Sequence, residues 1–141
     1  MESHSAILQP EAMDHGQVLL VDDEPALLKM MSLYLQRRGF AVTTSSSTDE
    51  ASAMIDAQPL SYSVAVLDAT MAGLSMEDLA LKMLQANPSL RVLAASGYPV
   101  DMSRLEIAAP GRVGFLHKPF TPEMLADSVR RMLAAQKETE I

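Results

Sequence analysis

Short apolar runs alternate with longer amphipathic segments, and this alternation repeats five times along the 141 residues. Runs that are apolar on consecutive positions are typical of strands covered by helices on both faces of a parallel sheet. The predicted strands are residues 17–22, 40–44, 63–68, 91–95 and 113–116. Five strands alternating with five helices predict an α/β protein with (βα)5 topology, built around a doubly wound parallel five-stranded sheet.

Helix-start and helix-stop residues mark the segments between the strands. Pro25 opens the first predicted helix, because a proline at the first helical position lacks only an N–H that would be unbonded anyway, and Gly39 ends that helix. Thr48 is the expected cap of the second helix. Ser75, with Asp78 three residues later, resembles a capping box and predicts the start of the third helix.

The last two helices and both chain ends follow from similar signals. A short, weakly patterned fourth helix is predicted over about residues 99–107, and Thr121 with Pro122 opens the fifth. Residues 1–16 are polar and lack periodicity, so we expect a flexible N-terminal tail there. Residues 136–141 are expected to fray as a C-terminal tail.

Composition excludes several functional classes. Hydrophobic residues make up 48% of the chain and charged residues 21%, as in ordinary soluble proteins, and 141 residues suit a single domain. The 18 acidic and 11 basic residues give a net charge of −7, which argues against binding of nucleic acid or an anionic membrane. Cysteine is absent, so disulfides, thiolate metal sites and cysteine nucleophiles are excluded.

No stretch of the sequence suits membrane insertion. The longest run without a charged residue or histidine has eleven residues, 57–67, whereas a helix needs about 20 apolar residues to span a bilayer. Glu2 stands where a signal peptide would carry basic residues, and no apolar stretch follows it. We therefore expect a cytoplasmic protein.

Polar side chains that could take part in binding or catalysis lie at the carboxyl ends of four of the five predicted strands. Asp22 ends the first strand and Asp23 follows it, Asp68 ends the third, and Ser96 and Lys118 come after the fourth and fifth. In an open parallel sheet, ligands bind at the carboxyl ends of the strands, beside the point where the strand order reverses. If the order is 2-1-3-4-5, the first and third strands are neighbours and the three aspartates meet in one crevice.

Three carboxylates this close repel one another and need either raised pKa values or a cation. A hard divalent ion with oxygen ligands is the simpler solution, and Mg²⁺ fits best because it combines one or two carboxylates with waters and a phosphoryl group. The Ser96 hydroxyl and the Lys118 ammonium would face the same point and suit phosphoryl oxygens. Asp68 is the candidate nucleophile, because a carboxylate can form an aspartyl phosphate.

Four segments, Val18–Pro25, Val66–Asp68, Ala95–Tyr98 and Phe115–Phe120, resemble the signatures of the receiver domain of two-component response regulators. The resemblance covers residues 17–135, which are therefore expected to form the receiver domain between the two tails. It implies the flavodoxin-like receiver fold with strand order 2-1-3-4-5. The segments Ser96–Tyr98 and Lys118–Pro122 also look like those of receivers attached to hybrid sensor histidine kinases.

The resemblance implies a role for each acidic residue. Asp68 would accept a phosphoryl group from a phosphohistidine on a histidine kinase or a histidine phosphotransfer protein. Asp23 would bind Mg²⁺ directly and Asp22 mainly through water, while Asp68 and the backbone carbonyl of Thr70 would be further ligands. The domain would assist only its own phosphorylation and autodephosphorylation, and it would not otherwise be an enzyme.

The remaining implied roles concern the switch and its partners. Ser96 would be the switch hydroxyl, Phe115 the switch aromatic and Lys118 the phosphate-binding lysine. Thr70 and Tyr98 occupy the two variable positions that influence autodephosphorylation in the family. The surface made by the fourth helix, fifth strand and fifth helix would bind a downstream protein, and the resemblance also allows a phosphorylation-dependent dimer.

Two departures from the family pattern affect the loop after Asp68. Ala72 stands where the family usually has proline, and Met76 stands where it usually has a glycine that opens the third helix. The loop is therefore expected to be less rigid or differently shaped, with a bulky Met76 side chain near the rim of the site. His117 has no motif partner, and a surface position is favoured over a catalytic role.

Two other functions remain open at this stage. A receiver fold could act as an unphosphorylated docking module, although the complete acidic set argues against it. A phosphatase of the haloacid-dehalogenase-like class also uses an aspartate nucleophile with Mg²⁺. That class needs an acid where this chain has Thr70, and a cap insertion for which the chain has no room.

Overall fold

The computed structural model describes residues 16–140, with side chains described to residue 134. The expected N-terminal tail lies outside the described residues except for its last residue, Gly16. Five strands alternate with five helices. In chain order they are β1 Gln17–Val21, α1 Pro25–Arg37, β2 Ala41–Ser45, α2 Thr48–Ala57, β3 Val64–Asp68, α3 Met76–Ala86, β4 Arg91–Ser96, α4 Ser103–Ala108, β5 Val113–His117 and α5 Pro122–Glu140.

The strands form one sheet in the order β2-β1-β3-β4-β5, and every neighbouring pair is parallel. The register pairs Val21 with Leu67 and Ser96 with His117, so the strands end nearly level at one edge. The prediction of a (βα)5 doubly wound sheet with this order is confirmed. Every residue of the central strands β3 and β4 is buried, because helices cover both faces.

Helices cover the two faces of the sheet with separate hydrophobic cores. On one face α1 and α5 pack against alternate strand residues, with Leu35, Leu125 and Val129 buried among them. On the other face α2, α3 and α4 contribute residues such as Ile55 and Met83. Burying one such side chain stabilises the fold by about 1.5–3 kcal/mol, so the two cores hold the strand ends in fixed relative positions.

Several helix boundaries differ from the predictions. Ser47, and not Thr48, caps α2: its side chain accepts a hydrogen bond from the Glu50 N–H at 2.9 Å, and Thr48 is the first helical residue. Ser47 lies in extended backbone one residue earlier, which is the conformation that a cap requires. The predicted caps at Ser75 and Thr121 are confirmed, since their hydroxyls accept from N–H groups three residues on.

The fourth and fifth helices also differ from the sequence prediction. α4 begins at Ser103, not near residue 99, because the Asp101 carboxylate accepts a 3.0 Å hydrogen bond from the Ser103 N–H and so favours a helix start there. α5 continues to Glu140, through residues expected to fray as a tail. Ala, Gln, Lys and Glu are favourable helix formers, and they dominate the stretch after residue 133.

Within residues 16–140, no helix combines the length and apolar character needed to cross a membrane.

Candidate functional site

The site lies at the edge where the parallel strands end. Asp22 directly follows β1, Asp68 is the last residue of β3, Ser96 is the last of β4, and Lys118 directly follows β5. Their backbones are linked across the edge, since the Lys118 N–H donates to the Ser96 carbonyl at 2.8 Å. The Asp22 N–H donates to the Ser45 carbonyl of β2 at 3.1 Å. The structure therefore brings together the strand-end residues that the sequence singled out.

The acidic residues form a cluster. Asp22, Asp23 and Asp68 each place a carboxylate oxygen within 4.8 Å of the others. Asp22 is 3% exposed and Asp68 4%, whereas Asp23 is exposed. Buried like charges are unfavourable without a compensating cation. A set of carboxylate oxygens that is open to solvent on one side suits a hard divalent ion, because such an ion keeps part of its water.

Lys118 supplies positive charge beside the two buried carboxylates. Its Nζ lies 3.1 Å from Asp22 Oδ2 and 3.5 Å from Asp68 Oδ2. Partial burial lowers the pKa of the Lys118 ammonium, but the hydrogen bond and charge of Asp22, together with the charge of Asp68, raise it by more, so the pKa lies above its ordinary value. The ammonium therefore stays protonated at neutral pH.

The two oxygens of Asp68 have different partners. Oδ1 accepts hydrogen bonds from both the backbone N–H of Thr70, at 3.0 Å, and the Thr70 hydroxyl, at 2.9 Å. Oδ2 faces Lys118. The family resemblance gave Thr70 a backbone carbonyl ligand and a variable position, but no hydrogen bond to Asp68. A hydroxyl residue two positions after an aspartate is a signal for this local bonding pattern, and it could have revealed the side-chain contact.

Asp22 is fixed in a similar way. Its Oδ1 accepts from the Glu24 N–H at 3.0 Å, while its Oδ2 accepts from Lys118. Both carboxylates thus use one oxygen for a local turn and direct the other toward the lysine. Because the turns hold the side-chain orientations, the cluster is arranged by the fold before any ligand binds.

Ser96 is buried at the strand edge with 1% exposure. Its Oγ accepts a hydrogen bond from the Tyr98 N–H at 3.0 Å and so holds the first turn of the β4–α4 loop. Ser96 does not cap the following helix, because α4 begins at Ser103, seven residues later. In this structure the hydroxyl therefore stabilises the start of a loop that borders the acidic cluster.

Phe115 lies away from the acidic cluster on the outer strand β5 and is 38% exposed. Its ring is 6.1 Å from the ring of His117, centroid to centroid. His117 is exposed, as the sequence indicated, and its Nδ1 lies 3.2 Å from the Ser96 carbonyl oxygen. This contact connects the two residues that end the paired strands β4 and β5.

Met76, expected near the rim of the site, packs inward at the start of α3. It is 6% exposed and belongs to the hydrophobic core beneath α3, and it also lines a surface pocket with Ala69, the residue after Asp68. As the first residue of α3 it faces the sheet, which offers an apolar environment that the rim does not.

Comparison with known proteins identifies similar domains. The protein-family model of the response regulator receiver domain matches residues 18–130. The sensor kinase CckA of Brucella abortus is 31% identical over 119 residues, which are 84% of this chain and 13% of the kinase. The probable transcriptional regulatory protein TcrX of Mycobacterium tuberculosis is 33% identical over 116 residues, or 82% of this chain and 49% of TcrX.

Solved structures give the same result. The chemotaxis protein CheY4 of Vibrio cholerae superposes with a TM-score of 0.71 at 26% identity, over 83% of this chain and 98% of that one. The two curated relatives are longer, and the chain spans about half of one and about an eighth of the other. The similarity therefore concerns one domain of those proteins.

Proposed function

The chain belongs to the response regulator receiver domain family, and from this premise we propose that Asp68 accepts a phosphoryl group from a phosphohistidine in a two-component phosphorelay. The observation that carries this proposal is the convergence of Asp68, two further carboxylates and Lys118 at one strand edge. The donor would be a histidine kinase or a histidine phosphotransfer protein. A sensor kinase and a transcriptional regulatory protein among the relatives fit a signalling role.

The proposed transfer uses the Asp68 carboxylate as nucleophile. A carboxylate oxygen forms a bond to phosphorus, the phosphorus–nitrogen bond of the phosphohistidine breaks, and the imidazole nitrogen leaves with the electron pair and takes up a proton. Oδ2 suits this role because it faces the Lys118 ammonium, which can bind the phosphoryl oxygens. Oδ1 is held by Thr70, so the carboxylate does not need to reorient.

The proposed cofactor is Mg²⁺. Asp22, Asp23, Asp68 and the backbone carbonyl of Thr70 would hold it, as the clustering of the three carboxylates within 4.8 Å supports. Bound there, Mg²⁺ supplies positive charge that offsets the repulsion between the acceptor carboxylate and the incoming phosphoryl group. Asp23 is exposed, which fits a ligand reached from solvent.

The proposed switch links this site to a partner surface. A phosphoryl oxygen near Asp68 would attract the Ser96 hydroxyl away from the Tyr98 N–H and so bias the β4–α4 loop. Phe115 would turn inward from its exposed position. β5 and α5 carry the exposed apolar residues Phe115 and Met124, which suit docking of a downstream protein or a phosphorylation-dependent dimer.

The proposal is tested by intact-mass measurement after incubation with acetyl phosphate and Mg²⁺. We expect one added phosphoryl group on the wild-type protein, none on Asp68→Asn and none when EDTA removes Mg²⁺. Asp78→Asn, which changes an exposed aspartate on α3, is the matched control and should keep the adduct. Absence of an adduct on the wild type would favour the unphosphorylated docking module, and an adduct that survives Asp68→Asn would refute the acceptor assignment.

A further inference from the structure

The loop between β3 and α3, residues 69–75, has to place Thr70 beside Asp68 although it carries no proline. Its first part is fixed by the two hydrogen bonds from Thr70 to Asp68 Oδ1. Its last residue, Ser75, caps α3 by accepting from the Asp78 N–H at 3.1 Å. The middle of the loop needs a separate attachment.

Thr48 provides that attachment from the neighbouring helix. It is the first residue of α2 and is 2% exposed, and its hydroxyl donates to the Ala72 carbonyl at 3.3 Å. The contact joins residues 24 positions apart. A buried hydroxyl is costly when it lacks a partner, so the loop carbonyl and the helix start stabilise each other.

Gly73 shows how closely the loop approaches α2. Its φ is +94°, a conformation that side-chain-bearing residues rarely adopt. A Cβ at this position would lie 3.1 Å from the Thr48 Oγ1 and 3.4 Å from Asp49 Oδ2. The turn at Ala72 and Gly73 is therefore packed directly on the first turn of α2.

We propose that Thr48 is a positioning residue for the acceptor site, which acts by holding the middle of the 69–75 loop in place. The Thr48 hydroxyl bonds the loop, and not Asp68 itself. Its effect passes through Ala72 to Thr70, which bonds Asp68 and offers the backbone carbonyl assigned to the cation. This inference rests on the proposed function, because it concerns the same Mg²⁺ and phosphoryl site.

The test compares Thr48→Val with Thr48→Ser. Valine keeps the volume and removes the hydroxyl, whereas serine keeps the hydroxyl. We expect Thr48→Val to weaken Mg²⁺ binding, measured by calorimetric titration, by about two- to tenfold, the change that corresponds to the loss of one hydrogen bond. Thr48→Ser should bind with nearly wild-type affinity. Without Mg²⁺, backbone amides of residues 69–75 should exchange faster in Thr48→Val than in the wild type.

Ser52→Ala is the matched control for a purely structural effect. Ser52 lies one turn further along α2, and its hydroxyl accepts a 2.6 Å hydrogen bond from Lys82 of α3. The variant removes another contact between α2 and α3 without touching the loop. We expect it to leave Mg²⁺ affinity unchanged, even if the midpoint of urea unfolding falls.

Gly73→Ala disturbs the same turn from the loop side, because alanine strains the φ of +94° and places a Cβ close to the Thr48 hydroxyl, and it replaces Thr48→Val if that variant fails to fold. It should weaken Mg²⁺ binding in the same direction. Wild-type Mg²⁺ affinity in Thr48→Val, or equal weakening in Thr48→Ser, would overturn the role of the hydroxyl. Failure of wild-type phosphorylation would instead overturn the proposed function, and the Mg²⁺ titrations distinguish the two results.

Discussion

Charge balance at single residues governs the site. Asp22 and Asp68 are buried, and one ammonium group, that of Lys118, lies within 3.1 and 3.5 Å of their carboxylate oxygens. Both carboxylates also accept backbone N–H groups, so each keeps its orientation while it bears charge. Removal of the ammonium would leave two buried negative charges without their nearest cation.

Lys118→Met should therefore lower the free energy of unfolding at pH 8 by roughly 1–3 kcal/mol, less than for a fully buried pair because the Lys118 side chain is 22% exposed. It should also prevent stable phosphorylation. Lys29→Met, which removes an exposed lysine of α1, is the control and should change neither property. Urea unfolding and intact-mass measurement check the two expectations.

The same lysine predicts a dependence on alkaline pH. Its pKa is raised above the ordinary value of 10.5 in the folded protein. The stabilisation is therefore complete below the unfolded-state pKa and is lost as the pH rises through the folded-state pKa. The difference in stability between the wild type and Lys118→Met should shrink above about pH 10.5, and an equal difference at pH 8 and pH 11 would contradict the assignment.

At the scale of elements, the opposite edge of the sheet stabilises the fold through Arg112. Its Nη2 donates to the carbonyls of Leu84 and Asn87, at 3.2 and 2.6 Å, and its Nε donates to the Leu90 carbonyl at 3.0 Å. Leu84 lies in the last turn of α3 and Asn87 directly follows the helix, where helix carbonyls lack helical partners, and Leu90 directly precedes β4. Burial and the charge of Arg91 lower the pKa of Arg112, but the guanidinium stays charged.

Arg112→Met should lower the free energy of unfolding by about 2–4 kcal/mol, because several carbonyls lose a charged donor. It should leave Mg²⁺ affinity unchanged, since Arg112 precedes β5 and lies at the amino ends of the strands. Arg130→Met, on the exposed surface of α5, should have little effect on stability. Equal effects of the two substitutions in urea unfolding would rule out the capping role.

The elements also show which structural details can be read from the sequence. Each predicted strand lies within one residue of the observed boundaries. The apolar runs of β3 and β4 are buried throughout, whereas β2 at the edge of the sheet is partly exposed. The cap of α2 was misplaced by one residue, since Ser47 and Thr48 are both suitable cap residues. The contact between Thr48 and Ala72 was not predicted, because it depends on how the first turn of α2 packs on a loop 24 positions away in the sequence.

For the whole molecule, part of the acidic excess behind the net charge of −7 is concentrated in one place. Asp22, Asp23 and Asp68 place three of the acidic side chains at one edge of the sheet. The sequence predicted this cluster because parallel strands end together, but the strand order came from a family resemblance. The structure adds that Thr70 bonds one carboxylate oxygen of Asp68 and Lys118 faces the other. This arrangement follows from side-chain packing and cannot be read from the spacing of residues in the sequence.

The central claim is that Asp68 carries the phosphoryl group. Its most direct measurement is borohydride reduction after treatment with acetyl phosphate and Mg²⁺, followed by peptide mass mapping, because borohydride converts an aspartyl phosphate into homoserine. We expect homoserine at position 68 only, and only when Mg²⁺ is present. Homoserine at another aspartate, or none in a protein that has gained a phosphoryl group, would contradict the claim.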